Sequence, residues 1–268
     1  MRERAIASYL FEYRRAGIKK TAPSGTTEFL KPSGPVTGRY EGNKWFPPSE
    51  STASRTPPAR SKGHSRGAFT EPLSQRSIVY ESGLERSTGH ILAADRRVSH
   101  LQDQPNRVEY QIADDEVKHH TFDYLATDTQ GKRHAFAVKP QERKESSGVC
   151  EVVNLIQEQN PDWADTFKIV TENEISRVEA KNASWILHAR RARNNDDVAA
   201  VHHLAMSLMG TVSIIDLARA SGLGARGFNA VVNLIDEGVL ELVSNERIND
   251  HASVRLHSNF KAQRHEQR

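Results

Sequence analysis

Two carboxylates and one ammonium group, those of Glu85, Asp123 and Lys139, stand where the chain can bring them together. A phosphodiester bond resists hydrolysis because its negative charge repels nucleophiles, and nucleases overcome this with divalent cations held between carboxylates and phosphate oxygens. A lysine beside such a site orients the attacking water or stabilises the phosphate charge. These residue types therefore predict a metal-dependent hydrolytic site.

The positioning of Asp123 and Lys139 follows from a predicted β-hairpin. Asp123 lies in one strand-like run and Lys139 ends the next, with a short polar turn between them. A three-residue loop with Gly131 in the left-handed conformation would pair Asp128 with Lys132. This turn sets the register of the two strands.

The same register would place Asp123 directly opposite Ala137. Because side chains alternate between the faces of a strand, Lys139 would share that face with both. We therefore expect one face of the hairpin to carry the chemistry. The other face would build core, with the side chains of Phe122, Tyr124, Phe136 and Val138.

Each of the three residues also has a structural alternative. Glu85 follows Ser82 by three positions, and this capping-box spacing lets its side chain satisfy a backbone amide at the start of a helix. Asp123 could pair with a neighbouring lysine or histidine. Lys139 precedes Pro140 at a strand end, where most lysines are solvated. Alanine at position 137 also offers no side-chain ligand where the usual Asp…(Asp/Glu)-x-Lys nuclease pattern has an acid.

The composition predicts a soluble cytoplasmic protein with an uneven charge distribution. The chain has 268 residues and a net charge of +3, but residues 1–76 contain 14 Lys/Arg against 6 Asp/Glu, and the remainder 23 against 28. A basic segment suits a polyanion such as DNA, although a solvated tail is the alternative. The single cysteine excludes an internal disulfide and a four-cysteine metal site. No apolar run reaches the roughly 20 residues that span a bilayer.

We predict four segments from these patterns. Residues 1–76 form a basic, largely irregular arm rich in Pro, Ser and Gly, beginning with a short helix over 1–20. Residues 77–185 form a mixed α/β domain, 186–260 a C-terminal domain, and 261–268 a tail. The fold class is therefore α/β.

Within the α/β domain the predicted order is helix, three strands, helix, strand. The first helix begins at Ser82, the strands cover 98–110, 117–126 and 133–139, and a helix over 149–159 precedes a strand over 167–171. In the C-terminal domain, helices over 198–209, 212–222 and 226–237 and a hairpin of 239–243 with 253–256 are typical of a winged helix.

Five short motifs in residues 81–175 carry a family resemblance: Ser82-Gly-Leu-Glu85, Val98-Ser-His-Leu-Gln-Asp-Gln-Pro105, Phe122-Asp-Tyr-Leu125, Phe136-Ala-Val-Lys-Pro140 and Ile169-Val-Thr-Glu-Asn-Glu-Ile175. In order and spacing this stretch resembles TnsA, the restriction-enzyme-like endonuclease subunit of heteromeric Tn-seven-type transposases. The resemblance implies a restriction-endonuclease-like mixed-sheet core followed by a C-terminal winged-helix-like domain.

The resemblance also implies roles for individual residues. Glu85 matches the family's helix-borne acidic residue, Asp123 its metal-binding aspartate and Lys139 its active-site lysine. The backbone carbonyl of Val138 matches a further metal ligand. Ala137 departs from the family, which carries Gln or an acid there, so the site is expected to lack one customary group.

The implied function is an Mg²⁺-dependent DNA endonuclease, with Mn²⁺ as a substitute, that cuts near the 5′ ends of a mobile element. Its partners would be transposon-end DNA, a DDE-type transposase subunit that cuts the other strand, and a transposition ATPase regulator, with no membrane. Two alternatives stay open. One is a catalytically weak or silent DNA-binding or assembly subunit, and the other is a stand-alone nuclease of defence or repair.

Two further groups of residues are of types that bind DNA or metal ions. Arg226, Asn229 and Asn233 lie at helical spacing on one face of a predicted recognition helix, where they would touch phosphates or base edges of DNA. A protein-binding winged helix is the alternative. The pairs His119-His120 and His202-His203 have no companion ligands nearby, so we expect surface or interface histidines without a site.

Overall fold

The computed structural model describes residues 39–41, 44–46, 48–54, 65–112 and 116–260. The predicted helix over 1–20, the arm as far as residue 38 and the tail over 261–268 lie outside the described residues. The chain divides into two compact units between Ser176 and Arg177.

The first unit contains ten described strands and three described helices. The strands are β1 (Arg39–Glu41), β2 (Lys44–Phe46), β3 (Gly67–Glu71), β4 (Arg76–Tyr80), β5 (Val98–Asp103), β6 (Val108–Gln111), β7 (Val117–His120), β8 (Tyr124–Asp128), β9 (Arg133–Val138) and β10 (Thr166–Val170). The helices are α1 (Gly83–Ala94), α2 (Gln141–Lys144) and α3 (Val149–Gln159). The unit is thus a mixed α/β fold.

A four-stranded mixed sheet, in the order β10-β9-β8-β5, forms the centre of this unit. β8 runs antiparallel to both β5 and β9, whereas β10 runs parallel to β9. The predicted hairpin register is confirmed, because Asp128 N–H donates to the Lys132 carbonyl (2.8 Å) and Gly131 has a φ of 83°. Tyr124 and Phe136 are the last pair of this ladder, and the Asp123 N–H donates to the Phe136 carbonyl (2.9 Å). Asp123 therefore lies beyond the ladder and is not paired with Ala137 as predicted.

Both faces of the β8–β9 hairpin are buried, which corrects the expectation of one chemical face and one core face. On one face Tyr124 packs on α1 at Gly89. A Cβ atom at Gly89 would lie 2.8 Å from the hydroxyl oxygen of Tyr124, so only glycine lets the helix approach the sheet this closely. On the other face Ala135 and Ala137 join a core cluster with Val153 of α3. Since helices cover both faces, any chemistry belongs at the end of the sheet.

The start of the unit differs from the prediction. The arm was expected to stay irregular to residue 76, but β3 pairs antiparallel with β4, and the Glu71 side chain at the end of β3 is buried. Ser49 also bonds with this hairpin, since its N–H donates to the Gln75 carbonyl (3.0 Å) and its carbonyl accepts from Ser77 N–H (2.9 Å). These long-range contacts order residues whose local composition predicts no regular structure.

Two predicted strands are each divided into two. The strand over 98–110 separates into β5 and β6, and the strand over 117–126 into β7 and β8. β6 and β7 pair with each other in a separate two-stranded sheet. The bends at Gln104, which has a φ of 38°, and at residues 121–123 carry the chain out of one sheet and into the other.

The second unit contains helices α4 (Arg177–Arg191), α5 (Asn195–Met206), α6 (Ile214–Ala220) and α7 (Ala225–Asp236) and strands β11 (Thr211–Ser213), β12 (Leu240–Leu242) and β13 (Ser253–Leu256). The three strands form an antiparallel sheet in the order β11-β13-β12, so the predicted C-terminal hairpin is confirmed. α4 was not predicted, and it crosses the domain boundary expected at 185/186. The expected helix over 212–222 begins instead with β11.

The core of this unit surrounds α7, whose residues 230–234 are all buried. α4 packs on α7, where the rings of Trp185 and Phe228 meet edge to face at 5.4 Å. Arg190 of α4 also forms a doubly hydrogen-bonded ion pair with Asp236 of α7. Among the described residues, no helix is both long and apolar enough to cross a membrane.

Candidate active site

Asp123 stands at the entrance to β8, where three hydrogen bonds fix it. Its N–H donates to the Phe136 carbonyl (2.9 Å) and its carbonyl accepts from Gln104 N–H (2.9 Å). Its carboxylate oxygen Oδ2 accepts from Val138 N–H (2.6 Å). Bonds to Gln104, which follows β5, and to Phe136 of β9 fix the backbone of Asp123. The bond from Val138 of β9 orients its carboxylate at the end of the sheet.

The carbonyl of Val138 points to the same side as the Asp123 carboxylate. Lys139 N–H donates to the Val170 carbonyl (3.0 Å) and so faces β10. Consecutive strand residues direct their backbone groups to opposite neighbours, and the N–H and C=O of one residue point the same way. Since Val138 N–H reaches Asp123, its C=O also faces the β8 side.

Glu85 lies in the first turn of α1, and its local contacts fit a helix cap. Ser82 is the N-cap residue, and its hydroxyl accepts from Glu85 N–H (3.1 Å). The Glu85 oxygen Oε2 accepts from Glu81 N–H (2.6 Å) rather than from the Ser82 amide that the capping box predicts. One carboxylate oxygen of Glu85 is therefore engaged at the start of α1.

Burial raises the pKa of Glu85 above its ordinary value. The hydrogen bonds from Glu81 and Ser82 and the positive charge of Lys139 oppose this rise without cancelling it. The charge of Lys139 thus acts on Glu85, although the two residues belong to different elements. The same lysine charge acts on His120.

Tyr124 joins the two predicted acids. Its hydroxyl donates to the Glu85 carbonyl (3.0 Å), and its side chain is 1% exposed. Burial raises the pKa of Tyr124, and the charges of Glu85 and Asp123 add to the effect. The structure therefore brings Glu85, Asp123 and Lys139 into one electrostatic neighbourhood. It lies at the edge of the sheet where β8 begins and β9 ends, beside the N-terminus of α1.

The donors in this neighbourhood fit a hard divalent cation. In the described part of the chain no group of three His, Cys, Asp or Glu side chains is placed to hold a metal. Mg²⁺ is usually bound by one or two carboxylates with substrate phosphates and water, and it prefers oxygen. The carboxylates of Glu85 and Asp123 and the carbonyl of Val138 meet this requirement in donor type. Ala137 contributes only its buried methyl group to the core.

His120 is an additional residue of this neighbourhood that the sequence did not identify. The ring was expected at the surface or at an interface, but its Nε2 atom is buried within the chain and has no hydrogen-bond partner. Burial, followed by the charge of Lys139, lowers the pKa of His120 to about 4. The one feature of the sequence that could have identified His120 is its position three residues before Asp123. His119 is partly exposed, and its Nδ1 atom lies 3.6 Å from the Glu109 carboxylate.

The three predicted DNA-contacting residues of the second unit do not form an open surface. Asn233 is 1% exposed, and its Nδ2 donates to the carbonyls of Ala189 (3.1 Å) and Asn229 (2.8 Å). This is a correction, because α4 covers the part of α7 that would carry Asn233 to DNA. Arg226 is exposed at the start of α7 and lies 3.5 Å from Asp197.

Arg226, Asn229 and Asn233 all line one cavity of about 330 Å³, which lies where α4 ends and α5 and α7 begin. Arg191 and Arg193 line it as well, and so does the Asp197 carboxylate. The cavity lining therefore combines the arginine side chains with the carboxylate of Asp197, which already pairs with Arg226. This arrangement is a polar packing feature of the second unit.

Comparison with known proteins adds no relative. No protein-family model matches the chain, and no curated protein matches it. The assignment of a function therefore depends on the geometry around Asp123 and on the motifs in residues 81–175.

Proposed function

We propose that the protein is a metal-dependent DNA endonuclease subunit of a transposase, hydrolysing phosphodiester bonds at the 5′ ends of a mobile element. The observation that carries the proposal is the convergence of Glu85, Asp123 and Lys139 at one end of the central sheet. These residues are far apart in sequence, and each is the chemical type that phosphodiester hydrolysis requires. The resemblance of the surrounding motifs to TnsA selects DNA and transposition from the wider range of phosphodiester chemistry.

Each residue has a distinct role in the proposed reaction. The carboxylates of Asp123 and Glu85 and the carbonyl of Val138 would hold Mg²⁺. When bound, that cation supplies an activated water and neutralises charge at the phosphate. Lys139 contributes its ammonium to the charge on the phosphate oxygens. The Val138 N–H keeps the Asp123 carboxylate aligned, so no reorientation is needed when the substrate arrives.

The topology supports the finer assignment of both units. A mixed sheet with helices on both faces and acids at its end is compatible with a restriction-endonuclease-like core. The order α5, β11, α6, α7, β12, β13 and the sheet order β11-β13-β12 correspond to a winged helix. Because α4 covers α7, we propose that this unit contacts a DDE-type transposase subunit or an ATPase regulator rather than reading bases through α7.

The decisive experiment compares wild-type protein with Asp123→Asn on transposon-end DNA, with the partner transposase present and with Mg²⁺ or Mn²⁺. We expect metal-dependent cutting of the 5′ strand by the wild type and a loss of at least about 100-fold in the variant. Asp162→Asn is the matched control, because Asp162 is an exposed aspartate of the same unit, and it should cut normally. Equal cutting by wild type and Asp123→Asn would refute the site.

The catalytically silent alternative is favoured by one observation, the buried methyl group of Ala137 where a side-chain ligand is expected. In that case the wild type would bind transposon-end DNA or its partners but would not cut with any divalent cation. Cutting without any partner would instead indicate a stand-alone nuclease. The same assay, with and without the partner transposase, separates the three functions.

A further inference from the structure

Gln104 combines an unusual backbone conformation with deep burial. It follows β5, has a φ of 38° and precedes Pro105. A positive φ is uncommon for a residue with a side chain, and a following proline favours extended backbone instead. Gln104 is also only 2% exposed, although glutamine is usually found at the surface. Such outliers persist where the surrounding structure holds them, and they concentrate at functional sites.

Hydrogen bonds from both the main chain and the side chain hold Gln104 in this conformation. Its N–H donates to the Asp123 carbonyl (2.9 Å), and its own carbonyl accepts from Ser54 N–H (2.8 Å). Its side-chain amide Nε2 donates to the Glu81 oxygen Oε1 (3.0 Å). Gln104 therefore contacts the residue that carries one candidate metal ligand, and also the residue that precedes the N-cap of α1.

Glu81 connects Gln104 to the second acid of the candidate site. Its N–H donates to Oε2 of Glu85 (2.6 Å), so the orientation of the Glu85 carboxylate depends on where the Glu81 backbone lies. The Glu81 side chain is bonded to Gln104 through Oε1, and its Oε2 lies 3.8 Å from the Arg66 guanidinium. A continuous series of hydrogen bonds therefore joins Asp123, Gln104, Glu81 and Glu85.

We propose that Gln104 is a positioning residue of the candidate site, which sets the relative placement of the Asp123 and Glu85 carboxylates. Its main chain restrains Asp123, and its side chain restrains Glu81 and through it Glu85. Mg²⁺ demands near-ideal octahedral geometry, so carboxylates that share the ion must be held at matching positions. The contacts are a property of the folded chain, whereas their effect on a metal rests on the proposed nuclease function.

Hydrogen exchange tests the contacts without metal or DNA. Gln104→Met keeps the length of the side chain and removes its donor. We expect the Glu81 amide to exchange at least about 10-fold faster in this variant, because the segment before α1 loses its anchor. This change should exceed any change at the amide of Val153 in α3, which reports the stability of the core. An unchanged Glu81 amide in Gln104→Met would overturn the proposal.

Two further variants separate the hydrogen bond from folding and packing. Gln104→Gly takes a φ of 38° without strain and keeps the main-chain bonds, so it should fold and show the same faster exchange at Glu81. Gln102→Met, at a half-buried glutamine of β5, is the matched control and should leave the Glu81 amide unchanged. Faster exchange in Gln102→Met to the same extent would refute a specific role of Gln104.

Binding of Mn²⁺, followed by electron paramagnetic resonance without DNA, tests the consequence for the metal. Gln104→Met should raise the Kd for Mn²⁺ by about 10-fold, as is typical when a residue that orients a metal ligand is lost. Glu81→Ala should have the same effect, and the double variant should be no worse, because both changes break one bond. Glu81→Gln should bind like the wild type, since its amide oxygen can still accept from Gln104.

Cleavage with the partner transposase present completes the test. Excess Mn²⁺ should restore the rate of Gln104→Met, because the variant retains the metal ligands themselves. A rate deficit that excess Mn²⁺ does not reduce, or a wild-type Kd in Gln104→Met, would refute the effect on the metal. If the wild type neither binds Mn²⁺ nor cuts DNA, the proposed function fails, while exchange of the Glu81 amide still decides whether Gln104 holds the segment before α1.

Discussion

The carboxylate of Asp123 accepts a 2.6 Å hydrogen bond from the backbone amide of Val138, across the open end of the β8–β9 hairpin. The bond lies beyond the pair of Tyr124 and Phe136, at which the β8–β9 ladder ends. It gives one aspartate oxygen a structural role and aligns the side chain beside the Val138 carbonyl. The candidate site is therefore built into the end of the hairpin.

Mutation can separate the two roles of Asp123, which are to accept the hydrogen bond from the Val138 N–H and to hold the proposed metal. Asp123→Ala should lower the free energy of unfolding by roughly 1–3 kcal/mol, because the Val138 N–H loses its acceptor. Asp123→Asn should keep most of that stability, since an amide oxygen can still accept. Urea denaturation of both variants measures the difference. Equal stability of the two variants would show that the bond contributes nothing.

The N-cap of α1 should be measurable in isolation. Ser82→Ala removes the acceptor for Glu85 N–H and should cost about 1 kcal/mol of unfolding free energy. Ser87→Ala in the same helix is the control. Its hydroxyl only bonds back to the Gly83 carbonyl, so we expect a change within about 0.5 kcal/mol. The two chemical denaturation midpoints should differ accordingly, and matching midpoints would contradict the assigned cap.

Glu85 should make stability depend on pH in a defined direction. Because its pKa is raised in the folded protein, the folded state holds a proton that the unfolded chain releases. The stabilisation that Glu85 contributes is complete below its pKa in the unfolded chain, about 4.3. It is lost as the pH rises through the pKa of Glu85 in the folded protein. Glu85→Gln cannot ionise, so its stability relative to wild type should increase with pH across that window. Denaturation curves over this pH range test the sign.

The buried charges of Arg76 and Asp103 should hold residues 48–54 against the rest of the first unit. Asp103 is fully buried, and its Oδ2 accepts from Ser51 Oγ (2.6 Å) and from Val79 N–H (2.7 Å). Arg76 donates to the Thr52 hydroxyl and to a backbone carbonyl. Arg76 and Asp103 form an ion pair at 3.9 Å. Asp103→Ala leaves the buried guanidinium with Glu71 as its remaining nearby opposite charge, so we expect a loss of roughly 3 kcal/mol.

Hydrogen exchange gives a local measure of the same change. In Asp103→Ala the amides of Ser49 and Ser77, which bond this segment to the β3–β4 hairpin, should exchange faster. Glu50→Ala is the control, because Glu50 is exposed in the same segment. Unaltered protection of both serine amides would show that the ion pair does not hold the segment.

The ion pair that joins α4 to α7 should show strong energetic coupling. Arg190 and Asp236 are nearly buried and make two hydrogen bonds of 2.7 and 2.8 Å. A double-mutant cycle with Arg190→Met and Asp236→Leu should give a coupling energy of about 2 kcal/mol or more, with each single variant less stable than the double. The more exposed pair Arg193 and Glu237 is the comparison and should couple by about 1 kcal/mol or less. Equal coupling would contradict the role of burial.

Local features of the fold could be predicted because neighbouring residues determine them. The turn at Gly131 sets the β8–β9 register, and Ser82 begins α1, since loop length and capping chemistry act over a few residues. The helix over Val149–Gln159 was also predicted at its observed bounds.

Long-range features could not be predicted, because they depend on which surfaces meet. α4 has a mostly polar sequence, and packing on α7 rather than periodicity gives it a place in the fold. The burial of Asn233 follows from the same contact. His120 and His119 are chemically identical in sequence, and only the position of Phe122 beneath one ring distinguishes them.

The sequence by itself determined the residue types of the candidate site and the turn at Gly131 that sets the β8–β9 register. Tertiary structure alone decided that Glu85 of α1, which lies 54 residues before Lys139, comes within reach of the lysine charge, and that His120 does so as well. The physical reason is that hydrogen bonding within turns and caps is encoded over a few residues. The meeting of a helix with the end of a sheet depends instead on burying apolar surface across the whole unit.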